Sequence, residues 1–515
     1  MSQLFTISEQ KCINCFACVR VCPVKAIEVK AEKDYAVILP NRCIGCGSCL
    51  NICPVNAIDY RSSKEEVKIL LKESSKVAAI VAPSISGEFV DITDYRKFVQ
   101  MIKSLGFDYV CEVTFGVDLV AKEYKKLFDD FKGKYFLTTV CPVIVSLVEK
   151  FYPELVNNLA PIISPMTATA KVIHKEYGDD TKVVYIGPCI QNKDEAKLFT
   201  DDGKVDSVLT FNELRELFDE FEIKESKLEY SEFDEPIGYK GSLLPIANGL
   251  LQAVDINEDL LTGKIITAEG RENIMDAVNE FAGHAETIKR HFNLYYCDGC
   301  IMGPGTSKGG QKFIRRTMVV NYANKRLKKF DREAWEKNME NHSNHNFSCE
   351  FTQQDQRLEP PADEKIFEVL KVIGKENMGR DSGCEACGYA SCRDFAIAVA
   401  SGLAHTDMCL NYTLKNRQEY IKSLRATNDK LAKTQQALRE SEKIARMEQE
   451  AARDASETIT TMMKKLPSAL VIVDKKMKIV QSNQSFIDLL GDDALEINDI
   501  IPGLVGADLK SLIPY

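Results

Sequence analysis

A chain of 515 residues is too long for one hydrophobic core and predicts about three to five domains. Its 66 Lys and Arg against 76 Asp and Glu leave a net charge of −10, which argues against non-specific binding to nucleic acid or to an anionic membrane. No apolar run approaches the roughly 20 residues that span a bilayer, and Met1-Ser-Gln-Leu lacks the features of a secretion signal, so the cytoplasm is the expected compartment. There, 18 cysteines predict metal clusters, because the cytosol keeps thiols from pairing as disulfides.

Cys12-x2-Cys15-x2-Cys18-x3-Cys22-Pro23 recurs 31 residues later as Cys43-x2-Cys46-x2-Cys49-x3-Cys53-Pro54. Three thiolates at this spacing wrap three corners of a cubane, and the fourth cysteine of each run ligates the cluster held by the other. Cys12, Cys15, Cys18 and Cys53 are thus expected to hold one [4Fe-4S] cluster, and Cys43, Cys46, Cys49 and Cys22 a second. Residues 1–60 resemble a bacterial two-cluster ferredoxin, a module that carries electrons one at a time. Zinc is the bland alternative.

From about Lys76 the pattern turns to strands alternating with helices, which predicts parallel sheets covered on both faces. Val77-Ala-Ala-Ile-Val81 reads as a buried strand, followed by a second over Asp108–Val113. The loop Leu294-Tyr-Tyr-Cys297-Asp-Gly-Cys300-Ile-Met-Gly-Pro-Gly305 carries two thiols that can turn toward one soft metal centre. Cys141 in Val140-Cys141-Pro142 and Cys189 in Gly187-Pro188-Cys189 are candidates for the missing pair, each after an apolar, strand-like run that a proline ends.

Val81-Ala-Pro-Ser84, Thr114-Phe-Gly-Val-Asp118, Thr138-Thr-Val-Cys141-Pro142, Ser164-Pro165-Met166, Pro188-Cys189 with Lys193-Asp-Glu195, and Gly270-Arg271-Glu272 occur in the order found in the catalytic domain of [FeFe]-hydrogenases. The chain resembles that family from about residue 76 to 325, and the domain is drawn here over 76–345. The resemblance implies a two-lobed α/β fold with a [4Fe-4S] cluster on Cys141, Cys189, Cys297 and Cys300. It further implies that Cys300, as the catalytic residue, bridges to a diiron subcluster carrying CO and cyanide.

The departures from the family pattern are specific. The family's proton-donating cysteine before the first ligand is Val140, and an isopropyl group cannot relay a proton. The lysine expected three residues after the second ligand is Asn192, the methionine two residues before it is Gly187, and the tryptophan often found after the first ligand is Ile144. The last motif is one residue shorter than usual between Cys297 and Cys300. Losing a general acid typically costs about 10²- to 10⁴-fold, so slow hydrogen turnover is expected even with a complete cofactor. A cubane without the diiron unit is a second reading.

Glu222 to Asp255 reads as an irregular acidic insertion without assigned chemistry. His174, His284 and His291 read as surface or packing residues on helical stretches, and Cys111 and Cys349 as bystanders. Asn341-His-Ser-Asn-His-Asn-Phe-Ser-Cys349 reads as a flexible polar linker, with stray metal binding as the alternative. Asp381-Ser-Gly-Cys384-Glu-Ala-Cys387, with Cys392 and Cys409, resembles the small four-cysteine iron-sulfur domain of corrinoid and CO-dehydrogenase-associated proteins; it predicts a further [4Fe-4S] cluster over residues 360–411, with zinc as the alternative.

Residues 412–463 lack Pro and Gly and place Leu424, Leu431 and Leu438 at seven-residue spacing, which predicts a linker helix or a short coiled coil that could pair two copies. Residues 464–515 resemble the opening half of a PAS sensor domain, and Tyr515 falls inside that pattern, so an incomplete C-terminus is expected. Together these expectations describe a hydrogenase-like iron-sulfur protein that senses hydrogen or redox state, exchanges electrons with a protein partner and signals through the C-terminal module to a downstream protein. A slow hydrogenase and a non-catalytic iron-sulfur scaffold are the alternatives.

Overall fold

The computed structural model describes residues 3–33, 35–257, 259–377, 379 and 382–513. Asp381, which opens the last cysteine motif, and Tyr515 lie outside them. The chain forms two compact units, residues 1–413 and 414–515.

The cysteine repeat folds as two copies of one short pattern. Strand Phe5–Ile7 pairs antiparallel with Ile58–Tyr60, and Ile27–Glu28 with Val37–Ile38. Helices Ala17–Val21 and Ser48–Ile52 each start after a left-handed residue, Phe16 (φ 59°) and Gly47 (φ 69°). The symmetry extends to Lys25 and Asn56, 31 residues apart and both at φ 47°.

Strand Val77–Val81 is a β-branched and alanine run buried along its whole length, as a central parallel strand must be. It sits between Tyr109–Glu112 and Lys182–Gly187, with Ser207–Thr210 beyond, all four parallel. A second lobe contains a separate parallel pair, Ile265–Glu269 with His291–Tyr295, joined by helix Arg271–Ile288. Chain order around Val77–Val81 reverses between its two neighbours. Loops leaving the carboxyl ends of Val77–Val81 and Lys182–Gly187 therefore splay apart and open a crevice between them.

Three local expectations need correction. Pro142 does not end a strand: Leu137 makes only isolated bridges, and Pro142 opens helix Pro142–Phe151 with Cys141 as its N-cap, the first-turn position where proline's missing N–H costs nothing. His291 lies in a buried strand, among Phe128, Tyr135 and Phe136, where it accepts a hydrogen bond from the Phe136 N–H at 3.0 Å; burial pushes its pKa down to about 4. The Asn341–Cys349 tract is docked: His342 is buried, with Nε2 2.9 Å from Glu176 and Nδ1 3.2 Å from His345 Nε2, and Ser348 bridges to Ile162. His174 is buried on helix Pro165–Tyr177, whereas His284 is exposed at a kink in Arg271–Ile288.

A buried carboxylate helps to pin the Glu222–Asp255 segment. Asp118, buried on helix Thr114–Asp129, accepts from the backbone N–H groups of Tyr239 and Gly241 and from Trp335 Nε1. Burial outweighs those bonds and pushes its pKa up to about 7. A raised carboxyl pKa means that the folded state holds the proton more tightly, so this group's contribution to stability declines as pH rises from about 4 to about 7. Asp118→Ala removes that pH dependence but strands three donors, each costing about 1–3 kcal/mol; the expected net loss in urea unfolding is about 3 kcal/mol.

Helices Asp363–Val372 and Cys392–Ala400 pack together, and this part of the chain shares one core with the ferredoxin-like module: Phe395, Leu403 and Met408 join Val19, Ile27 and Val29. In the second unit, strands Val471–Val473 and Ile479–Ser482 are antiparallel and helix Gln484–Leu490 follows, around Ile479, Phe486, Ile487 and Leu504. The first of these strands is only partly buried, with Ile472 42 % exposed. Helix Leu410–Lys465 is continuous over 56 residues and exposed along most of its length. Among the described residues, no helix is long and apolar enough to cross a membrane.

Candidate metal centres

Sixteen cysteines line four cavities, four to each. Cys12, Cys15, Cys18 and Cys53 line the first, and Cys22, Cys43, Cys46 and Cys49 the second. Each run thus lends its last cysteine to the other, the exchange expected from the spacing. Cys141, Cys189, Cys297 and Cys300 line a third, in the crevice beyond the sheet, and Cys384, Cys387, Cys392 and Cys409 line a fourth. All are free thiols; Cys111, buried in a strand, and Cys349 line none of the four.

Local geometry prepares these sulfurs for negative charge. Backbone N–H groups of Ala26 and Ala57 each donate to a sulfur four residues earlier, Cys22 and Cys53, at 3.2 Å. Burial pushes Cys22 up to about 11 and Cys18, Cys43 and Cys300 up to about 12, and raises Cys189 and Cys297 well above the ordinary thiol range. Neighbouring thiolates add repulsion. Buried thiols of this kind ionise only against a strong local positive charge, so the donor chemistry of the second and third sets fits iron-sulfur clusters; the first and fourth offer the same four-thiol donor set around one cavity, with Cys15 and Cys384 exposed.

The second and third sets are held close. Gly45 (φ 72°) and Gly47 (φ 69°) lie flat against the opposing loops: a Cβ on Gly45 would fall 1.7 Å from Gln191 Oε1, and one on Gly47 would fall 2.4 Å from Pro304 Cβ. No side chain fits at either position. Cys46, Tyr296 and Cys297 consequently line one polar cleft between the two sets.

Beyond its cysteines, the third cavity is faced by Val140, Met166, Tyr185 and Asn192. Asn192 is engaged, donating from Nδ2 to Glu195 Oε2 at 2.7 Å. A Cβ on Gly187 would lie 2.4 Å from Tyr185 Oη, so the tyrosine ring takes the space a longer side chain there would need. Ile144 is fully buried in the second lobe's core, away from the cavity. Leu244 and Pro245, from the segment given no chemistry, also form part of the wall. The acidity of that segment hid their apolar contribution.

Models of three known families match the chain: "Iron only hydrogenase large subunit, C-terminal domain" over residues 75–304, a 4Fe-4S dicluster domain over 11–69, and an Fe-S cluster domain over 382–410. Iron hydrogenase 1 of Clostridium pasteurianum is 31% identical over 182 residues, 32% of this chain and 31% of that protein. The NADP-reducing hydrogenase subunit HndD of Solidesulfovibrio fructosivorans is 26% identical over 311 residues, 53% of this chain and 48% of that protein. The chain therefore spans 31% of the first relative's length and 48% of the second's. The solved structure of apo [FeFe]-hydrogenase HydA1 from Chlamydomonas reinhardtii is 17% identical, with a TM-score of 0.46, covering 57% of this chain and 100% of that one.

Proposed function

Proceeding from an [FeFe]-hydrogenase-like chain that carries a ferredoxin-type 4Fe-4S dicluster domain and a small Fe-S domain, we propose an iron-sulfur redox protein with a slow hydrogenase-type site. The four cysteine sets are the ligands of four [4Fe-4S] clusters. In the third set, Cys141, Cys189, Cys297 and Cys300 would hold a cluster that would supply one-electron chemistry, and a diiron unit beside Cys300 would add hydrogen activation.

The observation that carries this reading is the joint lining of one cavity by Cys141, Cys189, Cys297 and Cys300 together with Val140 and Asn192. The four thiols bind and orient. The apolar wall of Val140 and Met166 excludes water and holds no exchangeable proton, and Asn192 supplies a neutral amide already spent on Glu195. Gly45 and Gly47 hold the second set close to the site, where a cluster on that set would supply electrons. A scaffold that keeps the cubane and lacks the diiron unit is the second reading, favoured by the Tyr185 ring where a side chain at 187 would lie. Sensing through helix Leu410–Lys465 and a PAS module rests on the order of strands and helix alone, since the three matching family models end by residue 410.

Anaerobic maturation with the hydrogenase assembly machinery, followed by metal analysis and infrared spectroscopy, tests this. About 16 iron and 16 sulfide per chain are expected from the cubanes, four of each for every four-cysteine set, with about two further iron where the diiron unit is present. CO and cyanide bands mark the slow enzyme, and full iron without them marks the scaffold. Stoichiometric zinc would end both readings.

A further inference from the structure

Resting on the reading that both sets hold [4Fe-4S] clusters, we propose that Lys25 and the turn Gly388-Tyr389 form an electron junction between the small four-cysteine domain and the ferredoxin-like module. The Cys22, Cys43, Cys46 and Cys49 set then becomes a three-way node, facing the first set, the hydrogenase-type site and the Cys384, Cys387, Cys392 and Cys409 set.

The two modules meet without a gap. The Val29 N–H donates to Leu403 O at 3.0 Å, and both belong to one core that contains Cys387 and Cys409 and against which Cys18, Cys22, Cys43, Cys49 and Cys53 pack. Gly388, directly after Cys387, lies at φ 91° with its backbone on helix Ala17–Val21: a Cβ there would fall 3.0 Å from Arg20 Cα and N. Lys25, three residues after Cys22, donates from Nζ to Gly388 O at 2.6 Å and to Val19 O at 3.2 Å, and lies 5.2 Å from the centre of the Tyr389 ring. Tyr389 is buried, lines the Cys384 cavity, and its Oη has no hydrogen-bond partner among the described residues.

The internal repeat shows that Lys25 is placed for this contact. Its counterpart Asn56 holds the same φ of 47°, a conformation that asparagine tolerates and lysine seldom adopts. Asn56 accepts from the exposed side chain of Lys308, whereas Lys25 reaches across the module boundary. A cation held between two cysteine sets stabilises an added electron on either one. The step is a single electron leaving one cluster and entering the other. No bond changes and no proton moves.

Lys25→Met in the full chain, with Lys25→Arg beside it, tests the junction by EPR-monitored redox titration. Removing the cation should shift the one-electron equilibria of both flanking clusters about tenfold toward the oxidised form, about 59 mV, with a smaller shift at the Cys12 set; Lys25→Arg should stay near the parent. In a Cys384→Ser, Cys392→Ser variant the reduced signal of the Cys22 set should narrow, because a magnetic neighbour is lost. Iron at the Cys384 set with unmoved potentials and an unchanged line shape would overturn the junction and leave the cluster assignment standing. Zinc or no metal at that set would overturn both.

Discussion

Replacing Val140 with cysteine is expected to raise hydrogen uptake by about 10²-fold in protein that carries the diiron unit. Val140 faces the same cavity as Cys141 and Cys300 and precedes the first ligand directly, so a thiol there enters the cavity without any rearrangement of the backbone. The exchange removes volume from the wall, which avoids the strain of overpacking. A positioned acid or base typically contributes about 10²- to 10⁴-fold, and the low end applies because Asn192 still leaves the cavity without a cationic side chain. Dye-linked hydrogen uptake, normalised to infrared band intensity, measures the gain. An unchanged rate at equal band intensity would place the slow step elsewhere, with electron delivery from the Cys22 set the first alternative.

The same comparison separates the slow enzyme from the scaffold. The Tyr185 ring occupies the space beside Gly187, and its burial holds the phenol protonated well above its ordinary range. If that ring excludes the diiron unit, Val140→Cys gives neither bands nor uptake, and the cubane ligands remain loaded.

What the sequence disclosed follows how local each signal is. The exchange of Cys22 and Cys53 between the two runs was legible because cubane geometry fixes ligand spacing, and a parallel sheet was legible because Val77–Val81 is too uniformly apolar for a surface element, though not its four-strand extent. Pro142 at the first turn of a helix was also open to reading, since proline is as much a helix opener as a strand ender. Contacts between distant segments were not. His342 reads as part of a polar linker until Glu176 meets it, and residues 403 and 29 share a core that no local periodicity announces. The wall formed by Leu244 and Pro245 was hidden likewise, because Asp118, far upstream, holds their segment in place.

Lys193→Met is expected to destabilise the larger unit by about 3–5 kcal/mol, the cost of breaking a buried ion pair from one side. Lys193 Nζ lies 2.9 Å from Glu213 Oε2, with the two side chains 1% and 3% exposed. The ammonium also donates to Ser63 Oγ at 2.8 Å and Val208 O at 2.7 Å, while Glu213 accepts from the N–H groups of Ser63 and Thr210. This one pair ties the end of the ferredoxin-like module, the edge strand Ser207–Thr210 and the turn Asn192–Glu195 that follows Cys189. Burial already pulls the lysine's pKa down, so methionine's apolar stem is well tolerated there, and the damage comes from the carboxylate left without its cation. Urea unfolding of Lys193→Met, Glu213→Leu and the double variant forms a cycle in which the double variant should recover most of the loss, since two apolar side chains leave no unpaired charge. Iron at the Cys141 set should fall in Lys193→Met before iron in the ferredoxin-like sets, because the loop bearing Cys189 loses its anchor first. Equal loss from every set would mean that the pair stabilises the unit as a whole and does nothing particular for that loop.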